Sequence, residues 1–330
     1  MSAITNKRTE GYKPFLFFFC IFALGWITLL LYAGGFTTSI KAGMAFLDWP
    51  LSNGSINPEG WLTESDKLAE HSHRLLGMKI GLLSIGLFVW TFLREERAWV
   101  RMLARLLLLV VVLQGLLGGA RVRFDQLNIM SENNLLAQTF AVIHACGAMV
   151  VLGLLVAITL SCSRHWISSG TATQQKISAS VKRWGIIATA GVFLQILVGA
   201  IMRHADAGLA IAKFPLASAN SLLPAYWNFG VSIHFAHRVG AIVVTIILCI
   251  FMGKIWGSPT AKRALGYGVL LLACALSIQI YLGALTIWTA KNPYAATAHH
   301  IVGAFLLAST WGLTFLAHRS GRASSNSDLR

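Results

Sequence analysis

Four apolar stretches of this chain each carry histidine near one end, and imidazole in such surroundings is metal-ligand chemistry. They read Glu70-His71-Ser72-His73-Arg74, His144 in Ala-Val-Ile-His-Ala-Cys-Gly, His234-Phe-Ala-His237-Arg238, and Ala298-His299-His300. Ionisable groups inside a membrane segment are costly, so recurrence on four segments points to a site rather than to packing. Imidazole suits zinc, copper and iron. A structural zinc centre asks for four ligands at one point. Here the histidines fall into two pairs, His73 with His144 and His237 with His299 or His300. One imidazole from each of two facing helices, with a flat apolar slot between, is the arrangement that ligates a haem iron, whose properties then follow from ligands, burial and hydrogen bonds.

The neighbours of these histidines divide the two pairs. Glu70 and His73 are three residues apart and share a helix face. His234 and His237 repeat that spacing with histidine in place of glutamate. Alike in ligands and unlike in the second ionisable group, the halves predict one centre that does chemistry and one that holds a cofactor. Arg74 and Arg238 follow directly; they suit haem propionates, which guanidinium matches well, or snorkelling to the outer headgroups. His71 falls on the far side of its helix from His73 and is expected at the interface. His165, His204 and His318 fall in loops or at helix ends and are assigned no role, and Lys79, deep in the second stretch, has no evident one.

Positioning these residues requires helices that span a bilayer. The 330 residues are 56% hydrophobic and 12% charged, and a spanning helix needs roughly 20 mostly apolar residues. Eight such runs occur, at about 14–36, 71–93, 103–120, 135–160, 184–202, 229–253, 264–289 and 295–317. Only a helix satisfies its own backbone in hydrocarbon, so the expected fold is an all-α integral membrane protein with eight transmembrane helices. The net charge of +15 is distributed by topology: 17 Lys and Arg fall in one set of alternate loops and termini and 7 in the other. The basic side is cytoplasmic, which puts both termini in the cytoplasm and removes nucleic acid as the reason for the charge. Met1 to Lys13 lacks the layout of a cleavable signal, and a bacterial cytoplasmic membrane is the expected address. None of the five cysteines falls in an outer loop, so no structural disulfide is expected there.

The chain reads as one four-helix unit written twice, residues 1–164 and 181–330, joined by a polar cytoplasmic linker at 165–180. Odd-numbered helices share a pattern near their outer ends: Leu30-Leu-Tyr-Ala-Gly34-Gly35, Gln114-Gly-Leu-Leu-Gly118-Gly119, Gln195-Ile-Leu-Val-Gly199-Ala200 and Gln279-Ile-Tyr-Leu-Gly283-Ala284. Even-numbered helices carry the histidines. Four spans per unit bring both units in from the same side, so the two pseudo-symmetric bundles should be related by an axis along the membrane normal. Small residues admit a close neighbour, either another helix or a flat ring. Their recurrence at the depth of the histidines favours the ring.

In Glu70-x-x-His73-Arg74, His144, His237-Arg238 and His299/His300, and in a first outer loop reading Gly35-Phe-Thr-Thr-Ser-Ile-Lys-Ala-Gly43 and Asp48-Trp49-Pro50-Leu51, the chain resembles the haem A synthase family over nearly its whole length. The resemblance implies an oxidoreductase that converts a methyl group of haem O to the formyl group of haem A for cytochrome oxidase. It implies a haem b cofactor in the C-terminal half, ligated by His237 and His299 or His300. It places the substrate haem O in the N-terminal half on His73 and His144, with Glu70 at the reacting methyl. Arg74, Arg238 and His234 would then be propionate or second-layer contacts. Some members carry a cysteine pair in the first outer loop; this chain has none, so redox coupling through such a pair is excluded here. Expected partners are haem O, the haem O synthase that supplies it and a membrane electron acceptor such as quinone, with a homo-oligomer compatible. Two other classes use similar parts: a non-catalytic dihaem b-type cytochrome, which has no need of Glu70, and a transporter, which should show paired helix interruptions at mid-membrane.

Overall fold

The computed structural model describes residues 11–127, 134–168 and 177–319; Lys7, Arg8, Lys176, Arg322, Arg330 and the middle of the linker lie outside them. Among the described residues, eight helices are long and apolar enough to cross a membrane. They are α1 (Pro14–Ser39), α2 (Ser65–Arg94), α3 (Ala98–Leu127), α4 (Leu135–Cys162), α5 (Ala179–His204), α6 (Phe229–Trp256), α7 (Pro259–Trp288) and α8 (Pro293–Arg319). A five-residue helical turn, Arg164–Ser168, follows α4, and the described residues form no strand. The chain is an all-α multi-pass membrane protein.

Local chemistry sets the helix ends. Asn134, Ser178, Asn228 and Ser258 each accept a hydrogen bond from a first-turn amide of the helix that follows, satisfying a donor the helix itself cannot. Pro14 and Pro259 open α1 and α7, where the missing N–H costs nothing. The helices outrun their apolar windows, and α2 and α5 do so next to the histidines. α2 begins at Ser65, ahead of the apolar run, because Ala69, Glu70 and His71 are buried beneath the first outer loop. α5 extends to Arg203 and His204, whose polar ends reach towards the neighbouring half.

Each half is a ring of four helices. In the first, α1 packs on α2, α2 on α3, α3 on α4 and α4 on α1; in the second, α5 packs on α6, α6 on α7, α7 on α8 and α8 on α5. The halves meet through α1 on α8, α5 on α4 and α4 on α8. The seam is apolar with a few polar ties. Leu16, Ile27, Ile158 and Leu307 are buried, and the Trp311 indole N–H donates to the Gly153 carbonyl at 2.9 Å. Connections repeat as well. α2–α3 and α6–α7 are joined by two or three residues, while residues 40–64 and 205–228 form long loops at the histidine end of the bundle, the end expected to be the outer one, with cis prolyl bonds at Trp49–Pro50 and Phe214–Pro215.

Candidate functional site

His73 on α2 faces His144 on α4 with ring centroids 6.5 Å apart and planes at 83°, and His237 on α6 faces His299 on α8 at 6.4 Å and 77°. An imidazole nitrogen binds a first-row metal at about 2 Å with its ring centre about 1 Å further back, so two axial imidazoles on one iron put their centroids about 6 Å apart. The donor sets therefore fit two bis-histidine haem irons. Among the described residues no three His, Cys, Asp or Glu side chains converge on one point. On α8 it is His299 that faces His237. His300 faces α1 instead, its Cδ2 2.9 Å from the place a Cβ on Gly35 would occupy. Gly147 follows His144 by three residues and Gly303 follows His299 by four, and both spacings return to one helix face.

The repeated glycines turn out to seat the histidines. A Cβ on Gly34 would lie 2.7 Å from Cε1 of His73, one on Gly199 3.0 Å from His237, one on Gly283 3.1 Å from His299 and one on Gly118 3.6 Å from His144. The contact is returned one turn inward. Gln114 fills the notch at Gly147, Gln195 the notch at Gly240 and Gln279 the notch at Gly303, while Leu30 stands against Gly77. Each odd helix thus offers a glycine to a histidine, and each even helix offers one back to the residue four positions earlier.

Hydrogen bonds orient the rings unequally. Gln195 Nε2 lies 3.0 Å from Nδ1 of His237 while donating to the His237 carbonyl at 2.7 Å. Nδ1 of His299 lies 3.2 Å from the Gln279 carbonyl, and the Gln279 amide nitrogen comes within 3.4 Å of Nε2. Contacts of this kind fix a ligand ring's tautomer and orientation. In the first half the rings of His73 and His144 turn to the backbone of Leu30 and Gln114, but more loosely, with no well-formed bond at either Nδ1.

The residues flanking the histidines hold the outer loops. Glu70 is 4% exposed; one oxygen pairs with Arg74 and the other accepts the Phe46 N–H at 3.1 Å. Arg74 also donates to the carbonyls of Asp48 and Leu51, both at 2.6 Å, and of Phe46 at 3.1 Å. The second half repeats the scheme. The Ile211 N–H donates to Nδ1 of His234 at 3.3 Å, and Arg238 donates to the carbonyls of Ile211, Lys213 and Leu216 at 2.9, 2.6 and 3.2 Å. Both guanidiniums thus act as straps across a loop rather than reaching for headgroups. Burial raises the Asp48 carboxyl, but the amides of Gly54 and Asn53, each at 2.7 Å, and the Arg74 charge outweigh it and leave the group below the usual carboxylate range.

Two residues stand differently from their sequence reading. His71 is buried, not interfacial: Nδ1 lies 3.0 Å from Ser52 Oγ and its ring meets the edge of Trp61, because the first outer loop folds down over that face of α2. Lys79 places Nζ 4.7 Å from the centre of the Trp26 ring, a cation–π contact that offsets part of the cost of a charge there. The loop amides of Phe46 and Ile211 and the return glycines Gly77 and Gly240 had no reading from sequence. A glycine three or four residues after each histidine was the signal for the latter.

Comparison with known proteins extends these correspondences. The chain is 25% identical to the heme A synthase of Listeria monocytogenes serovar 1/2a over 316 residues, covering 93% of this chain and 97% of that protein. It is 28% identical to the heme A synthase of Geobacillus kaustophilus, with 89% of each chain covered. It is 23% identical to that of Exiguobacterium sp., covering 96% of this chain and 97% of the relative. Residues 61–311, from just before α2 into α8, match the cytochrome oxidase assembly protein family COX15-CtaA. With four histidines paired across two four-helix rings inside that matched span, the chain belongs to the COX15-CtaA family of cytochrome oxidase assembly proteins.

Proposed function

We propose that this protein is a haem A synthase of the bacterial cytoplasmic membrane, oxidising a methyl group of haem O to the formyl group of haem A, with both termini in the cytoplasm. One observation carries the reading: two histidine pairs of matching geometry, one flanked by a carboxylate and the other by an imidazole. His237 and His299 hold a haem b cofactor, which supplies a one-electron redox centre when bound. His73 and His144 hold the substrate iron and fix the ring's position against α1 and α3. Converting methyl to formyl adds one oxygen atom from water and releases four electrons and four protons, with a gem-diol losing water at the end. Glu70 lies one turn before His73 on the same face and is the base for protons at the reacting methyl, or stabilises positive charge there. The electrons leave to a membrane acceptor such as quinone. The relatives' name, heme A synthase, supports the same substrate.

A second reading, a dihaem cytochrome that only passes electrons, is favoured by one fact: both Glu70 oxygens already have partners, Arg74 and the Phe46 N–H, and His234 has the Ile211 N–H. The test is to express the chain in cells that make haem O but no haem A and to extract the haem for mass analysis. Formyl haem supports synthesis; haem b and haem O alone overturn it. Reporter fusions check orientation: a fusion after residue 319 should be active only as a cytoplasmic reporter, and one at Asn57 only as an exported one.

A further inference from the structure

Arg74 and Arg238 each use both terminal nitrogens on outer-loop carbonyls. Arg203 uses only one terminal nitrogen, which leaves it open to a propionate of a haem bound between His237 and His299. It lies on α5 four residues beyond Gly199, one turn outward on the face that seats His237. It crosses the seam between halves, donating to the Gly35 carbonyl at 2.5 Å and to Ser39 Oγ at 2.7 Å. His300 arrives at the same point from α8, its ring against Gly35, and Thr297 one turn earlier holds Ser39 at 3.0 Å.

This corner is basic. Arg203 feels the like charge of Arg121, and His204 lies within electrostatic reach of Arg121, Arg203, His144 and His300. Both hydrogen bonds of Arg203 go to neutral acceptors, and among the described residues no carboxylate pairs with it. Among the described residues, the outer acids nearby have other partners: Glu70 has Arg74, Asp48 has the Asn53 and Gly54 amides, and Asp206 has Lys41 and Lys291. A half-buried guanidinium among like charges is stable when an anion completes the group, and a carboxylate matches its fork.

We propose that Arg203 and His300 form a carboxylate-binding corner that receives a propionate of the haem held by His237 and His299. This rests on the haem reading of that pair. The corner would also fix which way round the ring enters, since only one edge of a haem carries carboxylates.

The test uses full-length protein purified from haem-depleted cells, titrated with protohaem and with protohaem dimethyl ester and followed by the Soret band. A charge-assisted bond to one carboxylate is worth about ten- to a hundredfold in affinity, so the wild-type chain should prefer the free acid by about that factor. Arg203→Gln should bind the ester as before and lose most of the preference, and Arg203→Lys, which keeps the charge without the fork, should fall between. If Arg203 only staples α5 to α1, both ligands weaken together and the preference persists, which overturns the proposal. A wild-type chain that takes up neither ligand overturns the haem reading as well, a result distinct from an unchanged preference. His300→Gln reports independently: it leaves the His237–His299 pair intact and should also narrow the preference, and full retention of it there removes His300 from the corner.

Discussion

At the scale of single residues, the four-glycine pattern makes a graded forecast. Gly34→Ala would force a Cβ to within 2.7 Å of His73, and Gly199→Ala to within 3.0 Å of His237, whereas Gly118→Ala meets His144 at an ordinary 3.6 Å. Overpacking of this kind costs about 1–3 kcal/mol. The first two variants should lose haem from their own half, and Gly118→Ala should keep it, as read by pyridine haemochrome on purified protein. Glu70 divides the enzymatic reading from the structural one. Glu70→Gln keeps an acceptor for the Phe46 N–H but cannot hold a charge or take a proton. If Glu70 acts on the substrate, haem content should stay near normal while formyl product falls by about 10²–10⁴ in rate. If it only anchors the loop, formyl haem should accumulate at nearly the wild-type level and the loop should loosen.

At the scale of elements, the parts that position the site were legible in uneven measure. Helix number and the histidine pairing followed from apolar runs and from spacing, since both are local properties of sequence. The choice between His299 and His300 was not, because a three- or four-residue return to the same face leaves neighbouring positions equivalent until packing decides. Nor were the loop straps, because Arg74 and Arg238 bond to main-chain carbonyls, which every residue offers and no motif records. Removing a strap should expose what it does. Arg238→Leu leaves the carbonyls of Ile211, Lys213 and Leu216 without their donor. Opening such a loop lowers its local stability without unfolding the bundle. Limited proteolysis in detergent should then cut within 205–228 while 40–64 stays protected, and Arg74→Leu should give the reverse.

Across the whole molecule, the outer ends of α1, α5 and α7 close on Lys41, Asp206 and Lys291, all with left-handed backbone (φ 59°, 51° and 64°). Asp206 binds Lys41 at 3.0 Å and Lys291 at 2.5 Å, tying the first half to the second. The hydrogen bond from Lys291, against partial burial and with help from Lys41, holds the Asp206 carboxyl below the usual carboxylate range. A depressed carboxyl contributes its stability above the unfolded value of about 3.9 and loses it as pH falls through the folded value below that. The clamp is largely exposed, so its worth is under about 1 kcal/mol. Asp206→Asn, tolerant of the same backbone, should lower Tm slightly at pH 6. The difference should shrink in high salt and close below about pH 4. Exchange of the two halves turns α1 into α5 and α4 into α8, and the seam of α1 on α8, α5 on α4 and α4 on α8 maps onto itself. Such a surface is self-complementary, as in a two-fold dimer. Two identical copies of the four-helix unit would therefore present matching surfaces to each other. Within one chain the corresponding positions can differ, as Glu70 does from His234 and Leu30 from Gln195, which a dimer of identical copies does not allow. A difference between the two centres therefore belongs to the joined chain and not to the four-helix unit alone.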